Sequence, residues 1–300
     1  MKTIFVTGAS SSMGRQVVEK LRGDHRILAL VHRAPLGVAG DNIEVVNGDL
    51  LDPASYTAFV SRADTVLHLA GLTHSQHEAA YEKINHEGTA RLLSACRDHQ
   101  RFIYISSRCV GAAGGAYSHS KAKAESAISA SGLRYTIVRP SEIYGSKLTE
   151  GIDALLRLAL RYRVVIDFRW HGPVTYSPIS VHEFSDLLER MVRREVRERA
   201  IYEVCNQSEY QAEDIRRTLV AAGQAPCFRW PVPVRLLMFL QTLRLPLPLK
   251  KDQLARLVME KSNDASLVRE DYAFAPQDYL AFVREQGRNA AAQRKRGERS

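Results

Sequence analysis

Short apolar runs alternate with helix-like stretches along the first 140 residues. Six runs rich in Val, Ile and Leu are apolar at successive positions, as strands covered on both faces must be. They fall at residues 3–7, 26–32, 43–47, 65–69, 102–106 and 135–139. Helical periodicity lies between them, most clearly at residues 14–21, 79–98 and 118–130. Repeated units of this kind predict a doubly wound α/β fold with a parallel sheet, which binds ligands at the carboxyl ends of its strands.

The regular alternation of strand-like and helix-like segments ends after Pro140. Helical patterns and short strand-like pieces follow at residues 151–162, 164–167, 182–194, 200–204, 212–222, 251–260 and 276–286. We interpret residues 1–168 as the α/β domain, to which short elements near residues 174–206 return, and residues 169–287 as a smaller, mostly helical cap. Residues 288–300 carry five basic residues and one acid without apolar periodicity, so we expect a disordered tail.

The first apolar run leads into the segment from Gly8 to Gly14 and then directly into a helix. A tight strand–helix turn points backbone N–H groups and the helix dipole at one place, which makes an anion site suited to a pyrophosphate. Gly8 permits the turn, and Gly14 permits close packing of helix on strand. Ser11 stands where the G-x-x-G-x-x-G pattern has its middle glycine, so a plain turn with a serine N-cap is the alternative.

Charged residues follow the second and third strands. Arg33 lies where NAD enzymes usually place an acid for the ribose hydroxyls, which favours the 2′-phosphate of NADP, although a surface arginine is the alternative. After the third strand, Asp49 is assigned to the adenine end of the cofactor. Asp52, which precedes Pro53, is assigned to capping the next helix.

A serine, a tyrosine and a lysine follow at the end of the fifth strand and in the helix after it. The fifth strand ends at Ser107, and Tyr117 and Lys121 form an i, i+4 pair on the helix that follows. A free tyrosine has a pKa near 10, and a neighbouring ammonium lowers the pKa of the phenol. A serine hydroxyl beside it can hold a substrate oxygen. The three side chains together predict proton transfer at a carbinol carbon while hydride moves to nicotinamide.

Composition and charge bear on the partners, the compartment and the metal content to be expected. The formal charge of +9 suits an anionic cofactor, and no nucleic-acid motif or basic–aromatic stripe accompanies it, so nucleic acid is not expected as a partner. The four cysteines are far apart and the start of the chain has no secretory pattern, so we expect reduced thiols in a cytoplasmic protein. The histidines lack metal-ligand spacing, and no metal site is expected.

A strongly apolar stretch begins at Pro231 and ends at Leu249, interrupted by Arg235, Gln241 and Arg244. A cap helix packed on the core, or a dimer surface, is the ordinary interpretation, and we expect a homodimer. The sharper alternative is a helix that lies at a membrane surface or contacts a lipid-linked substrate, with the basic tail attracted to anionic lipids.

The motifs together resemble the extended short-chain dehydrogenase/reductase family, in its NAD(P)-dependent epimerase/dehydratase branch. They occur in the family's order over residues 2–205: Thr7-Gly8-Ala9 to Gly14; Gly48-Asp49-Leu50; His68-Leu69-Ala70-Gly71; Asn85 with Gly88-Thr89 and Leu92-Leu93; Ser106-Ser107 with Val110-Gly111; Tyr117-x-x-x-Lys121; Arg139-Pro140 with Ile143-Tyr144-Gly145; and Ser177 to Glu183. The resemblance implies a Rossmann domain, a substrate-binding cap and a small-molecule substrate.

The resemblance also implies roles for single residues. Tyr117 would be the acid/base, Lys121 would bind the nicotinamide ribose, and Ser107 would hydrogen-bond the substrate oxygen. The residues that would line the cofactor are Gly8, Ser11, Met13, Gly14, Arg33, Asp49, Leu50, Ala70, Gly71, Lys121 and Pro140.

Departures from the family pattern leave the reaction open. Dehydratases of the family carry an acid directly after the serine, where this chain has Arg108. Nucleotide-sugar members often carry a phosphate-binding arginine where this chain has Val174-Thr175-Tyr176. We expect an oxidoreductase or epimerase acting on a carbinol or keto group, of a sugar nucleotide or related metabolite. A simple NADPH-dependent ketone or aldehyde reductase, and a non-catalytic NAD(P)-binding sensor or assembly factor, are the alternatives.

Overall fold

The computed structural model describes residues 1–145, 151–224, 227–243 and 249–297. The strands are β1 (Thr3–Thr7), β2 (Arg26–Val31), β3 (Ile43–Asn47), β4 (Thr65–His68), β5 (Arg101–Ile105), β6 (Arg134–Pro140), β7 (Ile143–Tyr144), β8 (Val164–Arg169), β9 (Ile179–Ser180), β10 (Ala200–Val204) and β11 (Phe228–Pro233). Seven of them form one parallel sheet in the order β10-β6-β5-β4-β1-β2-β3. The predicted doubly wound α/β fold is therefore confirmed.

The helices of the described residues either cover the two faces of this sheet or belong to the cap. They are α1 (Ser12–Leu21), α2 (Thr57–Val60), α3 (Glu78–Tyr81), α4 (Gly88–Ser94), α5 (Gly115–Ala130), α6 (Gly151–Tyr162), α7 (Val181–Arg193), α8 (Ala212–Ala221), α9 (Val234–Thr242), α10 (Lys251–Val258), α11 (Ser266–Tyr272) and α12 (Tyr279–Gly297). A π-helical segment, Glu82–Glu87, joins α3 to α4 within the single helix that the sequence predicts over residues 79–98. The apolar faces of α1, α7 and α11 pack on one side of the sheet, and those of α2, α4 and α5 on the other.

A third apolar cluster makes up the cap. It joins α6, α8, α10 and α12 with the two-stranded parallel ribbon β8–β11, around buried side chains such as Leu156, Tyr210 and Tyr279. Because α6 and β8 belong to this cluster, the cap begins before the predicted boundary at residue 169. Strand β10 pairs with β6 in the main sheet, and α11, which lies inside the segment assigned to the cap, also packs on that sheet.

The basic C-terminal segment is helical rather than disordered as far as residue 297. Helix α12 continues through residues 288–297, and it packs on α8 so closely that a Cβ at Gly287 would lie 2.9 Å from the Cβ of Ala222. Arg294 donates to Gln224 Oε1 at 3.2 Å and to the carbonyl of Leu160. The sequence prediction failed here because these anchoring contacts come from distant elements, which local periodicity does not report.

Within the described residues, no helix combines the length and the apolar character that crossing a bilayer would require.

Candidate active site

The loop between β1 and α1 forms a cradle of backbone atoms. Gly8 has a φ of +68°, and a Cβ there would lie 2.6 Å from the amide nitrogen of Ala70. A Cβ at Gly14 would collide with the carbonyl oxygens of Gly8 and Ala9. Because only glycine fits either position, the end of β1, the start of α1 and the exit of β4 approach one another closely. This is the space and the donor geometry that a dinucleotide pyrophosphate needs.

Ser11 replaces the middle glycine by acting as the N-cap of α1. Its φ of −68° is ordinary, and its Oγ accepts a hydrogen bond of 2.9 Å from the Gly14 amide. A side chain is therefore tolerated without strain, and it stabilises the helix start. Met13, in the first turn, is partly buried against the core. The serine-cap interpretation is confirmed as geometry, and it leaves the glycine cradle around it intact.

The predicted adenine end of the site is only partly assembled. Arg33 is exposed just beyond β2. One oxygen of Asp49 accepts from the Leu51 amide at 2.9 Å, and the other lies 3.6 Å from His32 Nε2, so an acid does reach the end of β2. The side chain of Leu50 is buried beneath Gly88, where a Cβ would lie 2.8 Å from Leu50 Cδ2. The side chain of Leu50 therefore packs in the core on the side of the sheet that carries α4.

The assignment of Asp52 as a helix cap is wrong at the side-chain level. Asp52 precedes the 3₁₀ turn Pro53–Ser55, but its carboxylate makes no capping hydrogen bond. Its carbonyl instead accepts from Ser55 Oγ at 2.6 Å. This bond closes the turn, but it does not satisfy a helix N–H group as a capping carboxylate would.

Gly71 and Lys121 meet below the carboxyl ends of the central strands. A Cβ at Gly71 would lie 3.1 Å from Lys121 Nζ and 3.4 Å from Asn85 Oδ1. Lys121 Nζ donates to the carbonyl of Ile105 at 2.9 Å, which fixes the ammonium at the end of β5. Ala70 and Pro140 occupy the exits of β4 and β6, so the predicted cofactor residues at these strand ends lie along one edge of the sheet.

The Lys121 ammonium lies in an apolar and aromatic environment. Burial lowers the pKa of Lys121 to about 8, and Nζ lies 4.7 Å from the centre of the Tyr104 ring. The ring of His68 stacks on Tyr104, and burial together with the Lys121 charge lowers the pKa of His68 to about 3. His68 is therefore neutral, and hydrogen bonds to Thr7 at 2.6 Å and Thr89 at 2.9 Å hold its ring in place.

Tyr117 is the central side chain of the site. It lies in the first turn of α5, one helical turn before Lys121 on the same face, and is 5% exposed. Burial raises the pKa of Tyr117, while the charge of Arg256 and a hydrogen bond with Ser107 act in the opposite direction. Ser107 is thus near enough to influence Tyr117, and Lys121 lies on the same helix face as Tyr117.

Two cap residues also reach Tyr117, and the sequence analysis did not identify them. The Arg256 guanidinium carbon lies 4.4 Å from the centre of the Tyr117 ring. Asp252, one turn earlier on α10, accepts from Arg256 at 3.3 Å and from the Tyr81 hydroxyl at 3.1 Å. The Tyr81 ring packs edge-on against Tyr117, with centroids 5.8 Å apart. The only sequence signal was an Asp-x-x-x-Arg pair on a predicted helix, which normally indicates a solvated face.

The short loop before α5 explains how α10 comes so close. Gly115 has a φ of +81°, and a Cβ there would lie 3.0 Å from the Cβ of Asp252. A Cβ at Gly114 would lie 2.8 Å from Met259 Sδ. The glycine-rich sequence after Ser107 therefore leaves room for the cap helix, which covers Tyr117.

A cavity of about 500 Å³ lies between the two parts of the molecule, and its lining includes Arg108, the residue after Ser107. Arg108 and Lys261 line it, and both pair with Glu142, at 3.0 and 3.3 Å. Burial would raise the pKa of Glu142, but the charges of Lys261 and Arg108 outweigh burial and lower it. Val174 and Thr175 also line the cavity. Its walls therefore combine an ionised cluster with small apolar and hydroxyl groups.

Comparison with known proteins places these features in a family. The model of the NAD dependent epimerase/dehydratase family matches residues 4–167, which is more than half of the chain. The chain belongs to this family. The resemblance to extended short-chain dehydrogenases/reductases that the sequence motifs indicate is therefore confirmed.

This chain is similar in sequence to proteins that are named for different substrates. It is 32% identical over 167 residues to a ceramide reductase of Caulobacter vibrioides, a match that covers 54% of this chain and 52% of that protein. It is 24% identical over 266 residues to the UDP-glucose 4-epimerase of Vibrio cholerae, covering 78% and 79%.

The fold is shared with a solved short-chain dehydrogenase/reductase superfamily protein from Agrobacterium tumefaciens with bound NAD. The TM-score is 0.76 at 17% identity, and the alignment covers 99% of both chains.

Among the residues that the structure describes, no three His, Cys, Asp or Glu side chains are grouped so as to hold a metal ion.

Proposed function

We propose that this family member is an NAD(P)-dependent oxidoreductase or epimerase that acts on a carbinol or keto group, with Tyr117 as the acid/base. The observation that carries the proposal is the position of Tyr117, buried near Ser107 and one helical turn from Lys121. These side chains lie at the same strand ends as the glycine cradle of Gly8 and Gly14. A dinucleotide and an oxygen-bearing carbon fit that arrangement.

Each side chain has a distinct task in this proposal. Tyr117 Oη takes the hydroxyl proton of a carbinol or returns it to a carbonyl oxygen. Ser107 Oγ hydrogen-bonds the same substrate oxygen and orients it. Lys121, held by the Ile105 carbonyl, faces the space beside Gly71, where the nicotinamide ribose would lie. The bound nicotinamide supplies the hydride acceptor or donor. By covering Tyr117, α10 excludes water from the proton transfer.

The cavity favours a polar substrate such as a sugar nucleotide or a related metabolite. Arg108 and Lys261 line the cavity as cationic groups, although both pair with Glu142 and the acids Glu209 and Glu260 line it too. The UDP-glucose 4-epimerase relative supports this substrate class. Arg108, turned towards Glu142, stands where a dehydratase would need an acid, which argues against dehydration.

A lipid-borne ketone is a second substrate class. The ceramide reductase relative supports it, as does the presence of apolar residues Leu257, Val258 and Met259 in the cavity wall. For either substrate, exposed Arg33 at the end of β2 favours NADP over NAD, while the nearby Asp49 carboxylate opposes that preference. The balance of these two groups decides the cofactor.

Mass spectrometry of the nucleotide released from the purified full chain tests the reaction type. Retained NAD⁺ would support epimerisation, in which the cofactor is regenerated within each turnover. An empty site that binds NADPH would support a reductase. An empty site that binds neither dinucleotide would contradict the proposal.

Tyr117→Phe tests the acid/base role. It removes the proton-carrying oxygen while keeping the ring that packs on Tyr81, so turnover should fall by a factor of about 10² or more with folding preserved. Tyr162→Phe, at a side chain that is 60% exposed, is the matched control and should retain activity. Undiminished turnover in Tyr117→Phe would overturn the assignment. Tight NAD(P) binding with no turnover of any carbinol or ketone by the unaltered protein would favour a sensor.

A further inference from the structure

Large apolar side chains are exposed on two consecutive elements of the cap, β11 and α9. Five of them are half exposed or more: Phe228 67%, Trp230 57%, Leu236 50%, Phe239 58% and Leu243 56%. Single exposed apolar residues are common on soluble proteins, but a concentration of this size usually marks a binding surface. We call these five residues the β11–α9 surface.

The local structure explains why these side chains point outwards. In β11, Arg229 lies between Phe228 and Trp230 and turns the other way, within 3.7 Å of both Asp167 and Glu213. Because side chains alternate along a strand, Phe228 and Trp230 share the opposite face. Among the described strands, β11 pairs with β8 on one side, which leaves its other edge without a neighbouring strand.

Helix α9 continues the surface. Val234 at its start is fully buried, and Leu237 and Met238 pack against the cap core. Leu236, Phe239 and Leu243 are spaced i, i+3 and i+7, which places them on a second stripe of the helix. The helix therefore has two apolar faces, one packed on the cap core and one exposed.

Charge along this segment has one sign. Between residues 228 and 251 there are five basic residues and no Asp or Glu. Arg235 lies beside the exposed stripe, and its guanidinium carbon is 4.9 Å from the centre of the Trp170 ring. Arg229 already pairs with Asp167 and Glu213, so the remaining basic residues of the segment are the ones complementary to an anionic partner.

We propose that the β11–α9 surface binds the interface of a membrane that contains anionic lipids. Aromatic and aliphatic side chains flanked by arginines and lysines suit the boundary between headgroups and acyl chains. A second copy of the chain fits less well, because a two-fold interface would place this segment against itself and bring cations together with no acid between them.

The surface adjoins the cavity beside the active site. Trp170, on which Arg235 stacks, lines the same cavity as Arg108, the residue after Ser107. Membrane binding would therefore bring the cavity wall near the lipid headgroups. The proposal rests on exposure and charge, and it stands whether or not Tyr117 is catalytic.

Sedimentation of the full chain with phosphatidylcholine vesicles, with and without phosphatidylglycerol, tests the proposal. We expect at least tenfold tighter partitioning to the anionic vesicles, weakened by added salt. Leu236→Gln with Phe239→Gln should weaken partitioning by about tenfold or more. Leu158→Gln with Val220→Gln removes two exposed apolar side chains elsewhere and should leave partitioning unchanged. Equal loss in both double variants, or no sedimentation of the unaltered protein with anionic vesicles, would overturn the proposal.

Tryptophan fluorescence gives an independent readout. The chain has two tryptophans, so Trp170→Phe leaves Trp230 as the reporter. Anionic vesicles should shift its emission to shorter wavelength and protect it from iodide. Unchanged emission would exclude β11 from the interface. A dimer that the α9 double variant dissociates, in a protein that does not bind vesicles, would assign the surface to a second copy instead.

Discussion

Replacing Arg256 by glutamine tests whether the cap sets the proton affinity of Tyr117. The guanidinium carbon lies 4.4 Å from the ring centre, and its charge lowers the pKa of Tyr117 against the upward effect of burial. Arg256→Gln removes the charge and keeps a polar side chain on α10. The pKa of Tyr117 should therefore rise, and the alkaline form that accepts a proton should become scarcer at neutral pH.

The size of the pKa shift follows from the distance between Arg256 and Tyr117 and from the opposing charge of Asp252. An opposite charge within about 4–6 Å shifts a pKa by roughly 1–3 units. Asp252 accepts from Arg256 at 3.3 Å, and its negative charge raises the pKa of Tyr117, so it cancels part of the arginine's effect. We expect a net rise of about one unit, equivalent to about 1.4 kcal/mol, and about tenfold lower kcat/KM for carbinol oxidation below that pKa.

Asp252→Asn should move the pKa of Tyr117 in the opposite direction. Removing the carboxylate leaves the arginine charge uncompensated, so the phenolate becomes more stable. Arg217→Gln, which alters a 73% exposed arginine on α8, is the control for a general change in net charge. The two active-site variants thus differ in sign, which a general loss of stability would not produce.

The assay is the pH dependence of kcat/KM in the oxidative direction, with ultraviolet titration of the phenolate as a measurement that needs no substrate. Subtracting the titration of Tyr117→Phe isolates one tyrosine among the twelve in the chain. A pH profile of Arg256→Gln that coincides with that of the unaltered protein would refute the reasoning. A shift to lower pH would refute it as well.

Three further predictions concern the cofactor site. Ser11→Ala should lower the free energy of unfolding by about 1 kcal/mol through loss of the α1 N-cap, whereas Ser11→Gly should cost only a few tenths, as thermal unfolding can measure. Gly14→Ala should abolish dinucleotide binding in a titration, because its Cβ collides with the carbonyl oxygens of Gly8 and Ala9, and retained affinity would contradict the cradle. Arg33→Gln should lower the ratio of NADP to NAD affinity by about tenfold; an unchanged ratio would make this arginine a simple surface residue.

The sequence predicted those features that depend on residues close together in the chain. Runs of Val, Ile and Leu identified six strands of the sheet, because a strand covered on both faces must be apolar at consecutive positions. The spacing of Tyr117 and Lys121 predicted their shared helix face for the same reason. Gly8 and Gly14 were predicted because backbone crowding at a strand–helix turn excludes every other residue.

The misses come from contacts between distant parts of the chain. Arg256 and Asp252 reach Tyr117 only because the cap folds back over the Rossmann domain, and their own surroundings in sequence resemble a solvated helix. The burial of the Leu50 side chain beneath Gly88 also depends on a distant residue. Neither arrangement has a local signature, so only the tertiary structure reveals it.

Helix α10 gives the cap two separate effects on the site. In this chain α10 supplies Leu257 and Val258 to the cavity wall and also carries Arg256, which lies beside the proposed acid/base Tyr117. Under the proposed function, the same helix therefore affects both the fit of the substrate and the acidity of the tyrosine. A chimaera that took its cap from a relative would exchange both properties at once, and a cap without the Asp252–Arg256 pair would leave the same Ser107, Tyr117 and Lys121 working at a different pH.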